Sequence, residues 1–193
     1  GVWTNRYNGP SNGEDVATAV AFDASTNALV TGYSHNGTNH DYYTAKYAAG
    51  DGALLWEKRY AGAGNSIDQA MALAVDGDGN AIVTGISGGD YYTAKYAAAD
   101  GALLWEKRFN GFANSTDQAV AVTVDGSGNV AVTGNSWNGF SGYDIYTAKY
   151  AVADGALIWE QWYPSALDSN GAIGVAADGN GNIVVSGYFG TAA

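Results

Sequence analysis

The stretch Asp76-Gly77-Asp78-Gly79-Asn80 puts oxygen-bearing side chains at alternate positions, the spacing by which a short loop wraps a hard cation. Calcium is therefore the one cofactor that the residues raise, with Asp76, Asp78 and Asn80 as its ligands. The same five positions return as Asp23 to Asn27, Asp125 to Asn129 and Asp178 to Asn182. Of the four, only Asp76 to Asn80 carries a second carboxylate, and none is followed by a bidentate glutamate. The shared Asp and Asn suit a tight turn, where Asp accepts backbone N–H bonds and Asn tolerates left-handed backbone. The sequence predicts a structural turn ahead of a metal loop.

Other candidates sit in segments that differ between copies of a repeat. His35 and His40 bracket Asn36-Gly37-Thr38-Asn39 and offer a weak transition-metal pair. Trp137, Phe140 and Tyr143 crowd one loop, where turn chemistry gives apolar rings no reason to be, and they are the candidate ligand contacts. Asp15, Asp68 and Asp117 begin three equivalent segments, with Asn170 as the fourth copy. They either ring the mouth of an axial channel or cap the turns that precede them. Lys46, Lys95 and Lys149 recur ahead of Glu57, Glu106 and Glu160, which predicts three cross-strand ion pairs. No catalytic residue is assigned. The two histidines have no nucleophile motif beside them, and there is no cysteine. The acidic row could serve a hydrolase or lyase only if it were freed from structural work.

The elements that position these residues come from internal repetition. Residues 41–60, DYYTAKYAAGDGALLWEKRY, return almost unchanged at 90–109 and more loosely at 144–163. A second block, DQAMALAVDGDGNAIVTGIS at 68–87, recurs at 15–34, 117–136 and, weaker, 170–189. Trp56, Trp105 and Trp159 mark a period of about 50 residues, in the range of propeller blades. Each unit holds four strand-length segments, such as Gln69–Val75, Ala81–Ile86, Tyr91–Tyr96 and Ala102–Phe109, divided by turns bearing Gly, Asn or Asp. No window keeps a 3.6-residue period. The expectation is an all-β β-propeller of four-stranded antiparallel blades. Small residues on the first strand line the axis, and aromatics on the third and fourth fill the wedge between blades. Labelled A to D, the blades fall at about 12–60, 65–109 and 114–163. An orphan D strand occupies 1–9 and a partial blade 168–193. Closure of this series leaves one blade short of a strand, which points to a longer ring or to a homodimer completing a shared propeller ahead of an isolated four-bladed ring.

Composition bounds the partners. With 8 basic and 19 acidic residues the net charge is −11, which repels phosphate backbones, so nucleic acid is not expected as a partner. No apolar run approaches the roughly 18 residues of a membrane span. The absence of cysteine removes disulfide and thiolate chemistry.

The succession Asp-x-x-Gly-Asn, Val-Thr-Gly-x-Ser, Tyr-Thr-Ala-Lys-Tyr, Asp-Gly-Ala-Leu-Leu-Trp resembles the bacterial seven-bladed β-propeller repeat of SBBP type. Its last part is also similar, in part, to the tryptophan-docking segment of quinoprotein propellers. The first resemblance implies a secreted or cell-surface bacterial protein whose signal peptide is not in this chain. It implies a scaffold rather than a chemistry. The expected function is a non-catalytic scaffold with a protein or glycan partner, the glycan case being a lectin that uses the loop aromatics.

Overall fold

The computed structural model describes residues 2–140, 142–164 and 170–190. The expected limits at residues 1, 168 and 191–193 lie outside them. Fourteen strands form among the described residues. β1 (Asp15–Phe22), β2 (Ala28–His35), β3 (His40–Tyr47) and β4 (Leu54–Tyr60) make the first sheet, each strand antiparallel to the next. β5 (Asp68–Val75), β6 (Ala81–Ser87), β7 (Asp90–Tyr96) and β8 (Leu103–Phe109) make the second. The third holds β9 (Asp117–Val124), β10 (Val130–Trp137), β11 (Tyr143–Tyr150) and β12 (Leu157–Tyr163). β13 (Asn170–Ala177) and β14 (Ile183–Phe189) form a two-stranded hairpin. The sequence places these strands to within a residue at most ends. A 3₁₀ turn at Phe112–Asn114 is the one helical element among the described residues.

The sheets are propeller blades in an open fan. β5 packs on β1, β2 and β3 of the sheet before it; β9 repeats this on β5, β6 and β7, and β13 on β9, β10 and β11. First strands thus adjoin first strands, and their alanines, Ala70 and Ala119, are fully buried. A methyl is what the crowded axis admits. The B strands supply Ile82, Val83, Val130 and Val132 to the core, and the C strands supply Tyr42, Tyr92 and Tyr146. Residues 2–9 pair with no strand, yet Trp3 and Tyr7 contact the first sheet as Trp56 and Tyr60 contact the second.

The Asp-Gly turns are shaped by the neighbouring blade as well as by their own backbone. Gly101 has φ +68°, and a Cβ there would lie 2.8 Å from the Trp56 ring of the preceding sheet. Gly155 stands in the same relation to Trp105. Only glycine meets both demands.

The lysine–glutamate pairs predicted from spacing do not form. In the register of β3 and β4, Lys46 faces Trp56 and Ala45 faces Glu57, so Lys46 and Glu57 lie on opposite faces. Glu57, Glu106 and Glu160 instead accept the hydroxyls of Tyr43, Tyr92 and Tyr146 at 2.6–2.7 Å.

Candidate functional site

Four kinds of side chain were singled out by the sequence, and the sheets sort them onto two faces. A–B and C–D turns lie at one end of every blade, and B–C loops and blade-to-blade connections at the other.

At the first end, three of the four A–B turn acids are taken up by lysines. Asp76 Oδ2 lies 2.8 Å from Lys95 Nζ, with both side chains at most 3% exposed. Asp76 Oδ1 accepts the N–H groups of Asp78 and Asn80 at 3.0 and 2.9 Å. Asn80 Oδ1 accepts the N–H of Ala98. The Asp78 side chain points to solvent. Asp23–Lys46 at 2.8 Å and Asp125–Lys149 at 2.7 Å repeat the pair. Burial opposes ionisation of Asp23, but hydrogen bonds from Lys46 and Asn27 outweigh it and hold the pKa at about 2. Asp76 and Asp125 are lowered for the same reasons. Each lysine also reaches the next blade: Lys46 donates to the Ala98 carbonyl at 2.9 Å, Lys95 to Val152 at 3.1 Å and Lys149 to Gly181 at 2.8 Å. Trp56 and Trp105 donate their indole N–H to the same Ala98 and Val152 carbonyls. The turn, the lysine and the tryptophan form one latch between blades.

At the second end, the acidic row is turned inward. Asp68 and Asp117 are fully buried and accept the N–H of Gly62 and Gly111, each at 2.7 Å. Asp15 does the same for Gly9 at 2.8 Å. Each carboxylate closes the connection that enters its blade. Burial raises the pKa of Asp117 despite the hydrogen bond from Ser136. Outside them runs a network that the sequence reading missed. Arg108 binds Asp90 at 2.9 Å, the Ser87 hydroxyl, and the Tyr60 hydroxyl of the preceding blade. Arg59, Asp41, Ser34 and Tyr7 repeat it. The third blade has Trp162 in place of the arginine, and Phe109 stands in place of the tyrosine. Trp162 packs on Phe109, Phe112 and Tyr146 with ring centroids 4.9–5.5 Å apart. This paired exchange between copies was the available signal.

The B–C loops lie on this face. His35 and His40 are register partners, with rings edge to face at 5.4 Å. His35 Nδ1 accepts the N–H of Gly37, and His40 lies 3.3 Å from Glu14 and T-shaped against Tyr33. Among the described residues no three His, Asp or Glu side chains gather to hold a metal. Trp137 and Tyr143 are also register partners, edge to face at 5.3 Å at the base of the third loop. Asn138 Oδ1 accepts the N–H groups of Phe140 and Gly142, which fixes the tip. Phe140 is 91% exposed, and Phe112, on the 3₁₀ turn that packs on β10, is 65% exposed. Phe140 and Phe112 thus each present an aromatic ring to solvent on the third blade.

No family model and no curated protein matches this chain. Three solved structures are similar to it in shape. The exo-beta-1,3-galactanase 1,3Gal43A from Clostridium thermocellum has a TM-score of 0.48 at 14% identity, over 87% of this chain and 40% of that one. Chaetomium thermophilum Sqt1 bound to the N-terminus of ribosomal protein L10 scores 0.43 at 14% identity, over 89% and 56%. BamB from Moraxella catarrhalis scores 0.29 at 15% identity, over 91% and 78%. The chain thus spans well under two thirds of the first two.

Proposed function

We propose that this chain is a non-catalytic propeller scaffold that holds a protein partner through the exposed aromatic rings of its third blade. Phe140 carries the proposal, as an apolar ring almost wholly in solvent at the tip of a braced hairpin. Asn138 holds its backbone, so little backbone freedom is lost on docking, and exposed aromatic rings tend to anchor interfaces. The buried, hydrogen-bonded state of Asp68 and Asp117 speaks against a hydrolase or lyase built on the acidic row. Kinship with the secreted or cell-surface bacterial repeat proteins, and that location, belong to the same proposal and rest on the repeat residues quoted above.

The edge-to-face pair Trp137–Tyr143 favours a second reading, in which the same rings stack on a glycan. A homodimer sharing a ring is a further arrangement, favoured by Ile173, Val184, Tyr188 and Phe189, each 56–67% exposed on the last hairpin.

The test compares the parent chain with Phe140→Ser and Phe112→Ser on an array of extracellular bacterial proteins and on a glycan array. Protein capture lost in both variants, at unchanged melting temperature, supports the first reading. Glycan binding lost in a Trp137→Ala chain, with protein capture unchanged, supports the second. Equal signals from parent and variants would remove these rings as the site. Light scattering reads the dimer as a doubled mass.

A further inference from the structure

Tyr92 and Tyr146 sit in cages built by the preceding blade. On one face Tyr60 stacks on Tyr92 at 3.8 Å, and Phe109 on Tyr146 at 3.7 Å. At the edge Tyr42 meets Tyr92 at 5.4 Å and 83°, and Tyr91 meets Tyr146 at 5.7 Å and 73°. Each edge tyrosine also donates its hydroxyl to the carbonyl of the residue it cages, at 3.3 and 3.4 Å. The B strand makes room with glycine. A Cβ on Gly85 would lie 2.8 Å from the Tyr42 hydroxyl, and one on Gly134 2.6 Å from that of Tyr91.

Tyr43 is the third member of the series. Tyr7 stacks on it at 3.8 Å, and Gly32 holds the glycine position. The edge tyrosine is missing. In its place lies a cavity of about 350 Å³, lined among others by Trp3, Asp15, Ala17, Val30 and Tyr33. Ala17 is exposed and Val30 half-buried, whereas their counterparts Ala70, Ala119, Val83 and Val132 are at most 1% exposed. A second observation points the same way. Asp15 Oδ1 is buried without a partner, while the equivalent oxygen of Asp117 accepts from Ser136. A buried acceptor of this kind favours a ligand that brings a donor.

We propose that this cavity is a receptor for a tyrosine side chain carried on the third strand of a further blade of the same repeat. The ring enters edge-on to Tyr43, and its hydroxyl hydrogen points between the Tyr43 carbonyl and the unpartnered Asp15 Oδ1, which share it. A second copy of this chain has no free tyrosine to offer from its described third strands. Tyr42 and Tyr91 already fill the second and third blades, and Ile145 reaches to 3.1 Å from a Cβ built on Gly187 of the last hairpin. The occupant is a separate blade. The proposal rests on the propeller reading but not on the exposed aromatic rings of the third blade.

The full chain titrated with p-cresol, a stand-in for the tyrosine side chain, tests the site. The expected result is a saturable rise in melting temperature, about 3–5 °C at ten times the half-saturating concentration. Ala17→Phe fills the cavity, so it abolishes the rise and leaves the chain at least as stable. The same change at Ala70 collides with Tyr42 and lowers the melting temperature. A chain carrying an extra copy of residues 12–53 ahead of its first residue supplies the missing blade and loses the p-cresol response. Tyr42→Ala within the added copy restores it. No response from the parent, or one that survives Ala17→Phe, overturns the proposal. A response that fades as the mass of the unextended chain doubles gives the cavity to a second copy and overturns the assigned occupant.

Discussion

Lys95 and Asp76 meet at 2.8 Å inside the second blade, and the same ammonium group reaches the Val152 carbonyl of the third. A buried pair of this kind contributes little when compared with an apolar replacement, but it is costly to break from one side. Its distinctive effect here is on geometry. One cation fixes a hairpin within its blade and the spacing to the next.

Lys95→Met is expected to cost about 3–5 kcal/mol, because Asp76 is left as an uncompensated buried charge. Asp76→Asn combined with Lys95→Met should cost less than the two single changes added together, by about 1–3 kcal/mol. Urea denaturation of the four chains measures this coupling, and strict additivity would show the pair to be energetically idle.

The pair also sets the response to acid. Asp23 has its pKa lowered from 3.8 to about 2, and Asp76 and Asp125 shift the same way. A depressed carboxyl stabilises the fold above its unfolded pKa, and that stability is lost as pH falls through the folded value. Asp117 is raised and has the opposite sign, losing stability as pH climbs from its unfolded towards its folded pKa. With Asp178 also lowered, four lowered carboxyls stand against one raised, so melting temperature should fall between about pH 4 and pH 2. In the Lys95→Met chain that fall should be shallower, which thermal scans against pH will show.

Calcium should leave the melting temperature unchanged. Asp76 is already filled by Lys95, two backbone N–H groups and Asn80, and a cation bridging Asp76 and Asp78 would have to displace the lysine. A rise on titration with calcium, reversed by chelator, would restore the metal loop.

The repeated tryptophans should differ in their effects. Trp105 is 6% exposed and donates to Val152, so Trp105→Ala is expected to cost about 3–5 kcal/mol. Trp159 is half-buried, and among the described residues no carbonyl accepts its indole N–H. Trp159→Ala should cost only about 1–2 kcal/mol. Equal losses in denaturant would contradict the blade-to-blade origin of the latch.

Trp162→Arg should lose its ring packing, about 1–2 kcal/mol, since Phe109 offers no hydroxyl to an arginine. Adding Phe109→Tyr recreates the Tyr60–Arg108 arrangement and should recover part of that loss in the same assay.

Much of this was legible in the chain itself. A fifty-residue period, strand-length segments and Asp-Gly or Gly-Asn turns determine four-stranded blades, because local backbone chemistry fixes where a strand stops and reverses. Partnerships across blades were not legible. Lys46 and Glu57 look like a pair when folded about their turn, but a bulge at the end of β3 and β4 sets a register that puts them on opposite faces. The calcium-like spacing at Asp76 could not reveal a lysine nineteen positions on, brought over by β6 and β7. The empty place beside Tyr43 was equally hidden, since its lining comes from residues 2–7 and three strands of the first blade. Alternation along a strand says which side chains share a face. Only the packing of one sheet on the next decides what those faces meet, and which of them meets nothing.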